Sequence, residues 1–286
     1  MNHAPQGKQE QLIQKVMAEL KSTRLVLPSL PELALKINRE IDSPAATIAR
    51  VAKVISVDPA VMGKLLQVAN SAMYGGLQKV ENIEAAIKRL GFDSTRHIVI
   101  SLTLNKTYEM RGIYVKKHLA RQWSQATKVA ALSKVIGENH TDFDPHECML
   151  GGLLHNIGTL PIIAHCANKR AILVDKMLME RIFTSLQHKL GAWVIEQWGL
   201  NERLRQVPLN CYHFTDDEDH PLSVADVVTV ALLHNFRGAK HPFGEIPWTE
   251  VKAFQRLNLT PKDSIKAMEL AHQQVEDVQS LLGLSR

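Results

Sequence analysis

The chain has 286 residues, of which 45% are hydrophobic and 22% charged, with a formal net charge of +5. That length and balance suit one large or two small globular domains and exclude wholesale disorder. Aromatic residues make up only 5%, which argues against an all-β sandwich or barrel. Cys148, Cys166 and Cys211 are too few and too scattered for a disulfide framework and fit a reducing compartment. The basic excess is spread out, with no Lys/Arg block to suggest nucleic-acid binding.

Met1 to Gln14 is polar and holds no apolar leader. Pro28 and Pro31 stiffen an extended entry segment, because proline fixes φ. Four pairs then carry a helix-start signal, a capping residue followed by proline: Ser43-Pro44, Asp58-Pro59, Asp144-Pro145 and Thr260-Pro261. Glu147 stands three residues after Asp144, as in a capping box. Helical apolar spacing follows each start: Ile48, Val51, Ala52 and Ile55; Val61, Leu65 and Leu66; Leu150, Leu153, Leu154 and Ile157; Ile265, Met268 and Val275. Asn70 and Ser71 end the second of these helices, and their side chains can bond freed backbone groups. The glycines at Gly75-Gly76, Gly91, Gly112, Gly137 and Gly199 fit helix ends.

The charge-rich stretch from Tyr108 to Arg121 reads as a loose boundary between two helical subdomains. Thr215 to Leu222 and Gly238 to Thr249 read as polar loops. A last helix runs from Pro261 to about Leu282. No strand pair has a convincing two-residue turn, and no apolar run approaches the roughly 20 residues of a membrane span. The predicted fold class is all-α.

Thirteen histidines raise the question of a metal. The most informative stretch is Gly151-Gly152-Leu153-Leu154-His155-Asn156-Ile157-Gly158. A histidine followed by a carboxylate on an apolar helix offers an imidazole nitrogen and bridging oxygens to a metal pair. Here the second residue is the neutral Asn156, so the centre of that chemistry is compromised. The plainer reading of His155 is a core histidine bonded to backbone. His188 and His213 lie on later elements, and three histidines from three helices suit a mononuclear site. Gly151-Gly152 lies inside a helix, where small residues allow close packing. No Gly-x-Ser-x-Gly elbow and no glycine-rich phosphate loop is present.

Several pieces together resemble the HDOD domain, a bacterial output and signalling domain of the HD superfamily. They are Leu27-Pro28-Ser29-Leu30-Pro31; Asp58-Pro59; Ala69-Asn70-Ser71-Ala72 with Tyr74; and Ile83 to Ile87 running to Leu90-Gly91. Trp123, Gly152 to His155, and His188 through Trp198-Gly199-Leu200 complete the set. The resemblance implies a multi-helical fold with two helical subdomains. Its implied divisions are a helical extension at 1–20, an N-terminal subdomain at 21–115, an HD-like subdomain at 116–236, and a loop with a C-terminal helix at 237–286.

HD phosphohydrolases hold metal with a first histidine, a His-Asp pair and a distant aspartate. Aligned on Trp123, the first falls at about Gln125 and the pair is His155-Asn156. The last falls near Leu232, with Asp226 more than a turn out of register. His188 and His213 resemble additional histidines of related domains. Resemblance to the superfamily would imply phosphohydrolase activity, but the missing ligands argue against it, and the leading expectation is a non-catalytic signalling or regulatory module in the cytoplasm. It would act through a protein partner in trans or a nucleotide-type ligand, with neither membrane nor nucleic acid as partner. The alternative is a divergent phosphohydrolase carrying one divalent ion (Fe, Mn, Zn or Ni) on His155, His188 and His213.

Overall fold

A computed structural model describes residues 28–74, 78–215, 220–239 and 241–283, and ahead of them Gln14, Val16, Ala18 and Glu19. Among the described residues every regular element is helical. The first layer is α1 (Glu32–Ile41), α2 (Ile48–Ile55), α3 (Pro59–Ala69), α4 (Ile83–Leu90) and α5 (Phe92–Thr103). The second is α6 (Ile113–Glu138), α7 (Pro145–Leu154), α8 (Thr159–Cys166), α9 (Arg170–Val174), α10 (Lys176–Gln197), α11 (Glu202–Asn210) and α12 (Val224–Phe236). Three helices close the chain: α13 (Lys252–Arg256), α14 (Pro261–Leu270) and α15 (His272–Leu281).

Local chemistry explains most of the starts. Asp58 accepts from the backbone N–H of Ala60 and Val61, and Pro59 is the first residue of α3. Thr260 caps α14 through the Asp263 N–H. Asp144 caps α7 through the His146 N–H. The expected capping box does not form, because Glu147 turns instead to Asn201 and Arg203. Ser43-Pro44 opens a turn, in which Ser43 accepts from Ala45 and Ala46, and Thr47 caps α2. Asn70 closes α3 by donating to the carbonyls of Leu66 and Val80 and accepting from Val80 N–H, while Ser71 bonds through its backbone to Val68. The Pro28 carbonyl accepts from the Trp198 indole at 2.8 Å, which ties the entry segment to the end of α10. Pro31 stands at the N-cap position of α1.

The stretch expected to be a loose boundary is helical from Ile113 onward, and the division at 115/116 falls in the first turn of α6. Lys116, Lys117 and Arg121 lie on its wet face while Val115, Leu119 and Gln122 are buried. The charges hide an ordinary amphipathic helix. One apolar core runs from Ile37, Ile55, Leu65 and Ile98 of the first layer through Leu119, Leu154 and Ile182 of the second. A smaller core joins Val207, Val228 and Phe254. Gly238 to Thr249, expected to be a polar loop, holds two short 3-10 helices and packs Phe243 against Tyr212, Phe214 and Phe236. The C-terminal helix is broken at Ala271, and α15 lies against α6 with Val278 buried. Gly75, Gly76 and residues 216–219 lie outside the described residues.

Candidate functional site

Glycines bring the centre of the molecule together. A Cβ on Gly152 would stand 2.5 Å from the Ala130 Cα, and one on Gly151 would stand 2.8 Å from Val224 Cγ1. Without those carbons α7 lies flush on α6 and α12. Gly158 approaches the Gln187 carbonyl and Gly191 of α10 just as closely. The turn from His155 to Gly158 is thus pressed between α6 and α10, and His155 and Asn156 are buried.

His155 donates from Nδ1 to the Gly152 carbonyl at 2.6 Å, since a carbonyl only accepts. Its Nε2 is therefore a bare lone pair, buried with no hydrogen-bond partner. Burial lowers its pKa to about 4, so the ring is neutral near pH 7. His188 likewise donates Nδ1 to a carbonyl, that of Pro208, at 3.0 Å, and burial lowers its pKa. This is how a metal-ligating imidazole is oriented. Both rings also pack on Tyr212, with centroids at 6.0 Å for His155 and 5.0 Å for His188. His213 follows on the exposed side. Among the described residues no group of three His, Cys, Asp or Glu side chains stands together to hold a metal ion.

The position beside His155 is rewired. Asn156 Nδ2 donates to the main-chain carbonyl of Gln122 and to Gln122 Oε1, both at 3.1 Å. Its Oδ1 accepts a long 3.4 Å bond from the Tyr108 hydroxyl, whose own pKa is raised by burial. A carboxylate could make neither donation. The partner is Gln122, not Gln125, which lies partly buried one turn on along α6. Gln122 was findable in the sequence as a polar residue between Leu119 and Ala126, on the buried stripe of that helix. Leu232, which the resemblance aligns near the distant aspartate, is buried. Asp226 is spent, with one oxygen on Arg256 at 2.7 Å and the other in the capping box of Ser223. His155 Nε2 could ligate a metal, but an amide and a leucine supply no carboxylate beside it, so the set does not fit the His-Asp metal centre that the resemblance implies.

A second polar region, unforeseen in the sequence, lies where α5, α7 and α11 meet around a crevice of about 410 Å³. His97 Nδ1 is 2.8 Å from Asp144 Oδ2. Glu147 accepts from Asn201 and pairs with Arg203, each at 3.1 Å. Arg96 reaches Asp42 at 2.7 Å. Burial would raise Asp144, but the His97 hydrogen bond and the neighbouring histidines more than offset it and its pKa is lowered. Behind the crevice His146 stacks on Tyr74 at 5.7 Å, both its ring nitrogens buried without partners, and burial takes its pKa to about 3.

The HDOD domain model matches residues 27–213. A crystal structure from Shewanella amazonensis SB2B, of a protein named as a metal-dependent phosphohydrolase, is similar with a TM-score of 0.78 and 21% identity, over 96% of this chain and 99% of that one. A structure from Marinobacter aquaeolei VT8, named as a signal transduction protein, has a TM-score of 0.59 and 18% identity, over 96% of this chain and 66% of that one. At these identities the likeness shows the fold. An uncharacterised protein of Treponema pallidum (strain Nichols) is 23% identical over 248 residues, 80% of this chain, and this chain spans about half the length of that relative (46%). No described helix is long and apolar enough to cross a membrane. With a match over most of its length and an HD-type helical fold, the chain belongs to the HDOD domain family.

Proposed function

We propose that the chain is a non-catalytic signal-transduction or regulatory module that works through contacts with a protein partner in trans. The observation that carries this reading is the donation from Asn156 to the Gln122 carbonyl. Water activation between metals needs an anionic bridge at this place, and the chain fills it with a neutral, fully bonded amide. The remaining acidic candidate, Asp226, holds Arg256. The similar fold of a protein named for signal transduction supports the same reading.

The test is metal content together with turnover. Purified protein should carry substoichiometric metal by mass spectrometry. It should not hydrolyse phosphomonoesters or cyclic dinucleotides with added Mn²⁺ or Fe²⁺. Stoichiometric metal, with turnover lost on His155→Ala, would overturn the proposal in favour of a His-ligated phosphohydrolase. Asn156→Asp alone should create no turnover, because the position of Leu232 still lacks a carboxylate.

A further inference from the structure

A cavity of about 630 Å³ opens where the 3-10 turn Leu104–Tyr108 meets the first half of α6. Its volume falls within the range of small-molecule sites. Leu119 and Tyr108 form a buried floor, and the partly exposed Trp123 forms a wall, its ring 5.0 Å from that of Tyr108. Arg111 and Lys116 stand at the rim, both exposed, with Glu109 the single carboxylate of the lining. Among the described residues neither Arg111 nor Lys116 has an acidic partner. The contrast is with Arg121 further along α6, which pairs with Glu180 at 2.9 Å, and Lys106, which faces Asp58 at 3.6 Å.

We infer that this cavity is a binding site for a nucleotide, a ligand that carries a flat ring and a phosphate on one small frame. Trp123 offers a face on which any base stacks without sequence preference. Arg111 adds a planar fork and Lys116 a point charge for phosphate oxygens. An apolar ligand would leave two cations idle at the rim, and a simple anion would leave the aromatic wall bare. The inference deepens the signalling reading and rests on it, because it supplies an input. Tyr108 lines the cavity and also bonds Asn156, so a seated ligand touches the network at the centre of the molecule.

The test is calorimetric titration of the full chain with GMP, GDP and cyclic di-GMP, beside guanosine and inorganic phosphate as half-ligands. At least one of the three nucleotides should bind at least about tenfold more tightly than either half-ligand, since stacking and phosphate contacts each contribute. Arg111→Ala with Lys116→Ala should weaken that binding about tenfold or more and flatten its salt dependence. Both positions are exposed, so the double variant keeps the fold. Trp123→Phe should retain binding within about threefold, while Trp123→Ala should lose about tenfold. Glu109→Gln should tighten it, because it removes the one repelling charge. Nucleotides that bind no better than guanosine or phosphate would overturn the inference, as would a double variant of unchanged affinity. Either failure leaves the non-hydrolytic reading standing, whereas hydrolysis of a bound nucleotide would sink that reading and keep the site.

Discussion

The centre around Asn156 and the crevice between α5, α7 and α11 use similar polar residue types under opposite conditions. At the centre, His155, Asn156, Gln122 and Tyr108 are buried and carry no formal charge. At the crevice, side chains of Arg96, Asp144 and Arg203 keep 20%, 23% and 54% of their exposure, and each meets a partner able to carry the opposite charge, although two of those partners, His97 and Glu147, are buried. The dielectric accounts for the difference. Charge removed from water costs several kcal/mol per ion unless it is well paired, whereas half-wet charges pair cheaply and contribute little. The carboxylates of Asp93 and Asp144 line the crevice beside the buried Glu147, which Arg203 and Asn201 hold, while the centre is held by neutral hydrogen bonds.

The sharpest way to break that contrast is to put a charge at the centre. Asn156→Asp would set a carboxylate against the Gln122 carbonyl, which cannot turn away or donate. The expected cost is about 4 kcal/mol, the scale of an uncompensated buried charge, read from urea unfolding at pH 7. An effect below about 1 kcal/mol would show that the centre tolerates charge and that its neutrality is incidental.

Acid should act on the same interior. The folded pKa of His155 is about 4 and that of His146 about 3, both held down by burial, against about 6.5 in an unfolded chain. A depressed histidine stabilises the fold fully above the unfolded value. That stability is lost as pH falls from about 6.5 toward the folded value, where the buried ring must take a proton. His155 alone contributes a loss on the order of 3 kcal/mol between pH 7 and pH 4. A pH series of unfolding curves should show it, and His155→Gln should flatten part of the slope. A slope unchanged in that variant would place the acid sensitivity elsewhere. A smaller effect, about 2 kcal/mol, is expected for Gly152→Ala, whose new carbon meets the Ala130 backbone rather than a mobile side chain.

The sequence made the outer logic of the fold legible and left the pairings hidden, for physical reasons visible at particular residues. Asp58-Pro59 and Thr260-Pro261 mark helix starts because cap and proline act within three residues. Ser43-Pro44 carries the same letters and opens a turn, since nothing local decides between the two uses. The helix over 113–121 was masked because its wet face carries the charges. Close packing at Gly151-Gly152 was readable from residue size alone. The meeting of His97 with Asp144 was not, because the two are 47 residues apart and only tertiary packing joins them. Three histidines suggested a shared metal, yet no spacing rule shows that two of them pack on the Tyr212 ring.

The smallest expected effect tests the crevice on its own terms. Asp144 has two roles there, capping α7 through the His146 N–H and meeting His97 across the two layers. Asparagine is as good a cap as aspartate, so Asp144→Asn keeps the first role and removes the charge from the second. The expected cost is about 1 kcal/mol at low salt, because the Asp144 side chain stays partly exposed even though His97 is buried. Raising the salt to about 1 M shortens the screening length to about 3 Å and should erase most of that cost. The cost of Asn156→Asp should barely move with salt, because counterions do not reach a buried site. Unfolding curves of both variants at low and high salt therefore separate the regions directly. If Asp144→Asn proved as damaging as Asn156→Asp, or equally indifferent to salt, the crevice would be part of the dry interior and the distinction between the two regions would fail.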